Sequence, residues 1–328
     1  MKSKPLLATI LAGLLSVPAA NLMLDPRDTV FRPDVSTSPA SDQRTLKMDR
    51  VLAADEPFDG LLLGSSRTGL MRADQVAGAI GGLWYNASWF SARPSEVAAF
   101  LREARGEGRL PHRVILGLDL YAFLDDGAPR GSGGARMEAT GTDPVRRLGE
   151  AFDIDIRAIV EVVASRRHDP VRIRIDYRGD GSYTLPADEA ERQADPEGFA
   201  AGWVPASPPA IRPLRLDERE VAALAAIRDL MRATGGDACF FWHPHRPERA
   251  AAFPPDDVTT LTRLVARSVA PIGEMTPQWA ADPLHWYDLR HLTRERSADV
   301  LAWVTAECGE PLHASEGHSE DRLTAAHR

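Results

Sequence analysis

Two separate stretches of the chain carry residues suited to nucleophilic acyl chemistry. The first is Gly64-Ser65-Ser66-Arg67, which follows an apolar run, Phe58 and Leu61 to Leu63, and precedes helix-compatible residues. That order reads as strand, tight turn, helix. A serine at such a turn has its hydroxyl at the end of the sheet, with free amides beside it that can stabilise an oxyanion. Ser66 is the candidate nucleophile, and the plainer alternative is that Ser65, Ser66 and Thr68 cap a helix. The second stretch is Asp288-Leu289-Arg290-His291, just before a helical pattern from Arg294 to Ala306. An acid three residues before a histidine, on a loop entering a helix, lets the carboxylate orient the imidazole while the other ring nitrogen faces a serine. Alternatively Asp288 or Thr293 caps the last helix and His291 lies on the surface.

Taken together, Gly64-Ser65-Ser66-Arg67 and Asp288-Leu289-Arg290-His291 resemble the SGNH/GDSL hydrolase superfamily. The similarity is greatest to its membrane-anchored cell-envelope branch, the alginate O-acetyltransferase relatives and the D-alanine transfer protein of teichoic-acid modification. The resemblance spans roughly residues 55 to 125 and 236 to 305. Ser66 falls on the serine of the family's Gly-Asp-Ser block, with Ser65 in place of the aspartate. The resemblance implies an α/β fold, a three-layer α/β/α sandwich around a flavodoxin-like parallel sheet of about five strands. It also implies a Ser-His-Asp triad of Ser66, His291 and Asp288, acting without a cofactor or metal on acyl, most simply acetyl, esters of an envelope or exported polysaccharide. A membrane protein that donates the acyl group is a possible partner. A non-catalytic assembly or glycan-binding protein of the same fold is the alternative.

The remaining site candidates sit at the ends of expected strands. Leu83 to Ser88 reads as the second strand, and Asn86 near its end can donate two hydrogen bonds, either to an oxyanion together with the Ser66 amide or to local backbone. In the envelope relatives a glycine-rich turn follows this strand; here Ser91-Ala92 occupies its place. Trp84 and Trp89 are placed either to stack on a sugar ring or to fill the core. Arg113 to Phe123 reads as a buried third strand with Asp119 at its C-terminal end, where parallel sheets bind ligands, so Asp119 and Arg67 are expected beside Ser66. Ala238 to Trp242 is a fourth strand ending in His243-Pro244-His245. Two histidines one residue apart lack a third metal ligand at suitable spacing. By the resemblance, Pro244 and its neighbours line the pocket and His243 contacts substrate.

Around these strands the pattern gives helices at Gly69 to Ile80, Ser95 to Arg105, Asp217 to Ala233 and Asp256 to Val269, with a short strand near Pro283 to Tyr287. Residues 124 to 213 read as an insertion. It holds a Gly-rich loop from Gly127 to Gly141, a helix from Pro144 to Arg167, a hairpin through Val171 to Tyr177 and Ser182 to Leu185, and a proline-rich loop from Pro186 to Pro213, together plausible as cover over the site.

A chain of 328 residues with 44% hydrophobic and 26% charged residues suits one α/β domain with an insertion. Its net charge of -8 argues against a nucleic-acid partner, and acidic polymers would gain little electrostatic help. Lys2 and Lys4 precede a nearly uncharged segment ending at Leu24, so residues 1 to 24 read as a signal-anchor or as a cleaved signal peptide. Either reading places the domain outside the cytoplasm: held on the inner membrane by a single span, or released after cleavage. Residues 25 to 54 read as a linker with a short helical piece from Thr45 to Ala54, 55 to 308 as the domain, and 309 to 328 as a disordered tail. Cys239 and Cys308 are too few for a disulfide framework.

Overall fold

The computed structural model describes residues 43–124, 175–204, 215–269, 272–275 and 277–309. Five parallel strands form the central sheet: β1 (Gly60–Leu63), β2 (Trp84–Asn86), β3 (Arg113–Leu118), β6 (Asp237–Trp242) and β7 (Ile272–Glu274). Their order is β2-β1-β3-β6-β7. Numbered along the chain as parallel strands, that is 2-1-3-4-5, the doubly wound flavodoxin-like order. The central strands are apolar on both faces, as a sheet covered by helices on both sides requires.

Alternation along β1 assigns the layers. Leu61 and Leu63 point to one face, where α1 (Gln43–Leu52), α4 (Pro94–Gly106), α7 (Glu218–Ala233) and α9 (Pro255–Val269) bury Met48, Phe100, Leu224 and Val265. Leu62 points to the other, against Val76 of α3 (Ala73–Ile80) and Val300, Leu301 and Val304 of α10 (Arg294–Cys308). Each such fully buried aliphatic side chain stabilises the fold by about 1.5–3 kcal/mol. Met48 and Val51 belong to this core, so the domain begins at least as early as Gln43, and the linker expected over residues 25 to 54 is shorter at that end.

Two other expectations are corrected, and one pairing appears that the sequence reading did not make. The stretch from Pro186 read as loop forms α5 (Pro186–Ala194) and α6 (Pro196–Ala201). Proline lacks an amide hydrogen, which costs nothing in a helix's first turn, and Asp195 caps α6 at the Gly198 amide. The fifth strand is β7; Pro283–His285 is instead one 3-10 turn leading into the last loop. Cys239 of β6 and Cys308 at the end of α10 form a disulfide, a pairing that their 69-residue separation conceals and that packing of α10 on the sheet creates.

The hairpin is present as β4 (Asp176–Tyr177) and β5 (Tyr183–Thr184), while the expected loop at 127–141 and the helix at 144–167 lie outside the described residues, as do residues 1–24 and most of the tail. No helix among the described residues is long and apolar enough to cross a membrane. Lys47 of α1 ties the hairpin to the end of β2 by donating to the carbonyls of Asn86, at 2.5 Å, and Gly181.

Replacing Cys239 and Cys308 together by serine should lower unfolding free energy by about 2–4 kcal/mol, because the bond limits the unfolded chain. Urea denaturation with and without reductant measures it; equal midpoints would contradict it.

Candidate active site

The C-terminal strand ends converge. After β1 the chain turns at Gly64, whose φ of 143° is open essentially to glycine alone. A Cβ there would also lie 2.8 Å from the Gly117 carbonyl. Ser65 then caps α2 (Ser66–Gly69) by accepting from the Arg67 amide at 3.2 Å, which presents Ser66 as the first helical residue. The hairpin holds this turn from the side: the Tyr183 hydroxyl donates to the Ser66 carbonyl, and its ring packs where any side chain at Gly69 would stand.

Ser66 Oγ lies 2.8 Å from His291 Nε2, and His291 Nδ1 lies 2.7 Å from Asp288 Oδ2. The other carboxylate oxygen, Oδ1, accepts the amides of Arg290 and His291 at 2.5 and 2.7 Å. Asp288 is thereby fixed by its own loop before it orients the ring. Burial favours its neutral form, but the hydrogen bond and charge of His291, with the two amides, outweigh this and hold its pKa below the usual carboxylate range. A carboxylate accepting from Nδ1 leaves Nε2 bare of hydrogen and facing the serine.

The loop that carries this pair is closed on itself. Tyr287 N donates to the His291 carbonyl at 2.8 Å, Trp286 and Leu292 form an antiparallel bridge, and the Trp286 side chain is buried. The Tyr287 hydroxyl reaches Glu189 of α5 at 2.6 Å. Glu189 is therefore a supporting residue that no spacing in the sequence points to.

Beneath Ser66 lies a charged node. Arg67 donates from Nη1 to Asp119 Oδ1 at 2.6 Å and from Nη2 to the Pro244 carbonyl, and Ser65 Oγ donates to Asp119 Oδ2. The ends of β1, β3 and β6 are joined through one guanidinium. Burial would raise the Asp119 pKa, but Arg67 foremost drives it well below the ordinary range, so the pair stays ionised. His245 Nδ1 also contacts Arg67 Nη1, at 3.2 Å. A guanidinium only donates, so Nδ1 accepts and the His245 hydrogen sits on Nε2.

A cavity of about 560 Å³ opens on Ser66. Ser65, Arg67, Asp119, Ser91 and Trp286 line it, as do Arg93, Arg246, Arg249 and Arg290. Among the described residues that line it, Asp119 is the single carboxylate.

Two of the alternatives left open by the sequence are decided here, and one expectation, His243 at the substrate, fails. Asn86 is fully buried; its amide donates to the carbonyls of Thr68 and Met71 at 2.8 and 2.6 Å, and its oxygen accepts from Ser88 N. Both donors are spent on the elbow's own backbone, so Asn86 braces the turn and does not serve an oxyanion. His243 is 1% exposed and meets Thr68 Oγ1 at 2.8 Å, behind the cavity wall. Trp89 packs on Phe100 in the core. In contrast, Ser91 has φ 55°, the left-handed conformation that glycine would adopt most easily, and it lines the cavity. The turn geometry is thus kept without the glycine, at a strain of about 1 kcal/mol or more.

His243 and His245 are both held neutral, with pKa values lowered to about 3, first by burial and then by the Arg67 charge. Unfolded, each would titrate near 6.5, so their contribution to stability is complete above that pH and is lost as pH falls from 6.5 toward 3. Urea midpoints should therefore drop steeply between pH 7 and 5, with about two protons taken up on unfolding, and His245→Gln should remove about half of that dependence. A flat profile would contradict the buried neutral pair.

No protein-family model and no curated protein matches the chain.

Proposed function

We propose that the protein is an extracytoplasmic serine esterase or O-acyltransferase of the SGNH type, acting on acyl esters, acetyl foremost, of an envelope or exported polysaccharide. The observation that carries this is the continuous relay of Ser66 Oγ to His291 Nε2 at 2.8 Å and His291 Nδ1 to Asp288 Oδ2 at 2.7 Å, at the mouth of a cavity large enough for a sugar residue. The 2-1-3-4-5 strand order and the serine at the end of the first strand support the family resemblance. The Cys239–Cys308 bond supports an oxidising compartment, in line with residues 1 to 24 acting as an anchor or signal.

In this mechanism Ser66 Oγ attacks the ester carbonyl carbon while His291 Nε2 takes its proton. The oxyanion is stabilised by the Ser66 amide, first in α2. The intermediate collapses, the C–O bond to the sugar breaks, and His291 returns the proton to the departing sugar hydroxyl. Water, or the hydroxyl of a second sugar, then attacks the acyl-serine with His291 as base, which regenerates Ser66. Asp288 stabilises the imidazolium at both steps. Hydrolysis and transfer differ only in the second acceptor, and a membrane acyl donor would load Ser66 in the transfer case.

Ser66→Ala should lower kcat for a model acetyl ester by about 10³-fold or more, and Asp288→Asn by at least about 10²-fold through the wrong histidine tautomer. Ser65→Ala should keep turnover within about tenfold while costing about 1 kcal/mol of stability through the lost cap. Steady-state kinetics on the three variants measures this; comparable losses in Ser65→Ala and Ser66→Ala would remove the assignment of Ser66 as nucleophile.

A further inference from the structure

The cavity beside Ser66 has one wall that the triad does not use. Tyr121, His245, Arg246 and Arg249 line it together with Arg290 of the triad loop. Arg249 and Arg290 both rest over the Tyr121 ring, 4.7 and 5.4 Å from its centre. Arg246 is 1% exposed, and its one ion-pair partner, Glu248, meets Nε and Nη2 at 3.3 and 2.9 Å. Its Nη1 is buried without a partner among the described residues. The same holds for Arg249 Nε, Tyr121 Oη and His245 Nε2, and the His245 nitrogen carries the ring hydrogen. Four residues of this wall therefore each carry a buried donor with no partner among the described residues, and leaving each unmade costs about 1–3 kcal/mol. Among the described residues that line the cavity, cations outnumber carboxylates even after Asp119 is assigned to Arg67. A chain of net charge -8 has no general reason to collect arginines in one cleft.

We propose that this wall is a subsite for an anionic group, a carboxylate or phosphate, carried by the substrate next to the ester that Ser66 attacks. The inference rests on the esterase reading for the position of the ester, and on the wall alone for the charge. An anion supplies acceptors only, which is the complement of four donors and free guanidinium charge, and a planar carboxylate matches the fork of a guanidinium. A neutral acyl group would leave the same donors unpaired. The low pKa of His245 keeps its ring neutral, so it would serve as a hydrogen-bond donor and the arginines would supply the charge.

The test uses acetyl esters matched in all but charge: 4-acetoxybenzoate, 4-acetoxyphenyl phosphate and the neutral methyl 4-acetoxybenzoate, with rates divided by those for hydroxide. The wild-type kcat/KM should favour at least one anionic ester by about tenfold or more, and the preferred ester identifies carboxylate or phosphate. The preference should shrink in 0.5 M salt and in the Arg249→Gln/Arg290→Gln variant, while Arg105→Gln on the exposed face of α4 keeps it. Calorimetric titration of Ser66→Ala protein with the same three compounds reads binding without turnover. Selective binding of an anionic ester by Ser66→Ala protein, with no hydrolysis by the wild type, would sustain the subsite and sink the esterase reading. Equal kcat/KM and equal binding for charged and neutral esters, or no binding of any, would overturn the subsite.

Discussion

The guanidinium of Arg67 is the charge that the site is built around. It is nearly buried, and its Nη groups meet Asp119 after β3 and Pro244 and His245 after β6, while its own backbone stands one residue past Ser66. Removing one partner of such a pair costs about 3–5 kcal/mol, because the other charge is then left unpaired away from water. That cost fixes the relative positions of three strand ends, and the turn that carries the serine cannot drift without breaking the pair. The low pKa of Asp119 follows from the same buried charge, which also adds to the burial that keeps the two histidines neutral.

A second layer of contacts holds what Arg67 does not reach. Tyr183 from the hairpin grips the Ser66 carbonyl, Asn86 takes the carbonyls of Thr68 and Met71, and Glu189 holds the Tyr287 hydroxyl at the base of the Asp288–His291 loop. Each is a hydrogen bond to the frame of a reacting residue and not to the reacting atom. The inserted segment therefore has a stated role among the described residues, since the hairpin and α5 brace the serine and the histidine from outside the sheet.

The sheet and the serine–histidine–acid relay were legible in the sequence because they rest on local signals. An apolar run closing on Gly64-Ser65-Ser66 announces a strand and a turn, and Asp288 and His291 lie within one short loop. Asn86 misled because an amide at a strand end looks alike whether it faces solvent or the backbone behind it; only the fold decides, and it turned inward. Arg67 was legible from its place in the turn, but Arg93, Arg246, Arg249 and Arg290 could not be read because they are scattered along the chain and meet only when the strand ends converge. Net charge averages over the surface and conceals such a patch. Cys239 and Cys308 were hidden for the same reason, as packing of α10 on the sheet brings them together. Ser91 shows the converse, a backbone conformation kept where the residue type argues against it.

The claim that Ser66 is an activated nucleophile can be tested without knowing the substrate. A fluorophosphonate probe, followed by intact mass and peptide mapping, should modify the wild type at Ser66 alone. Labelling should be absent in Ser66→Ala and slowed by about 10²-fold or more in His291→Ala, since the hydroxyl then lacks its base. An unlabelled wild type, or labelling that persists at the same rate in His291→Ala, would contradict the account.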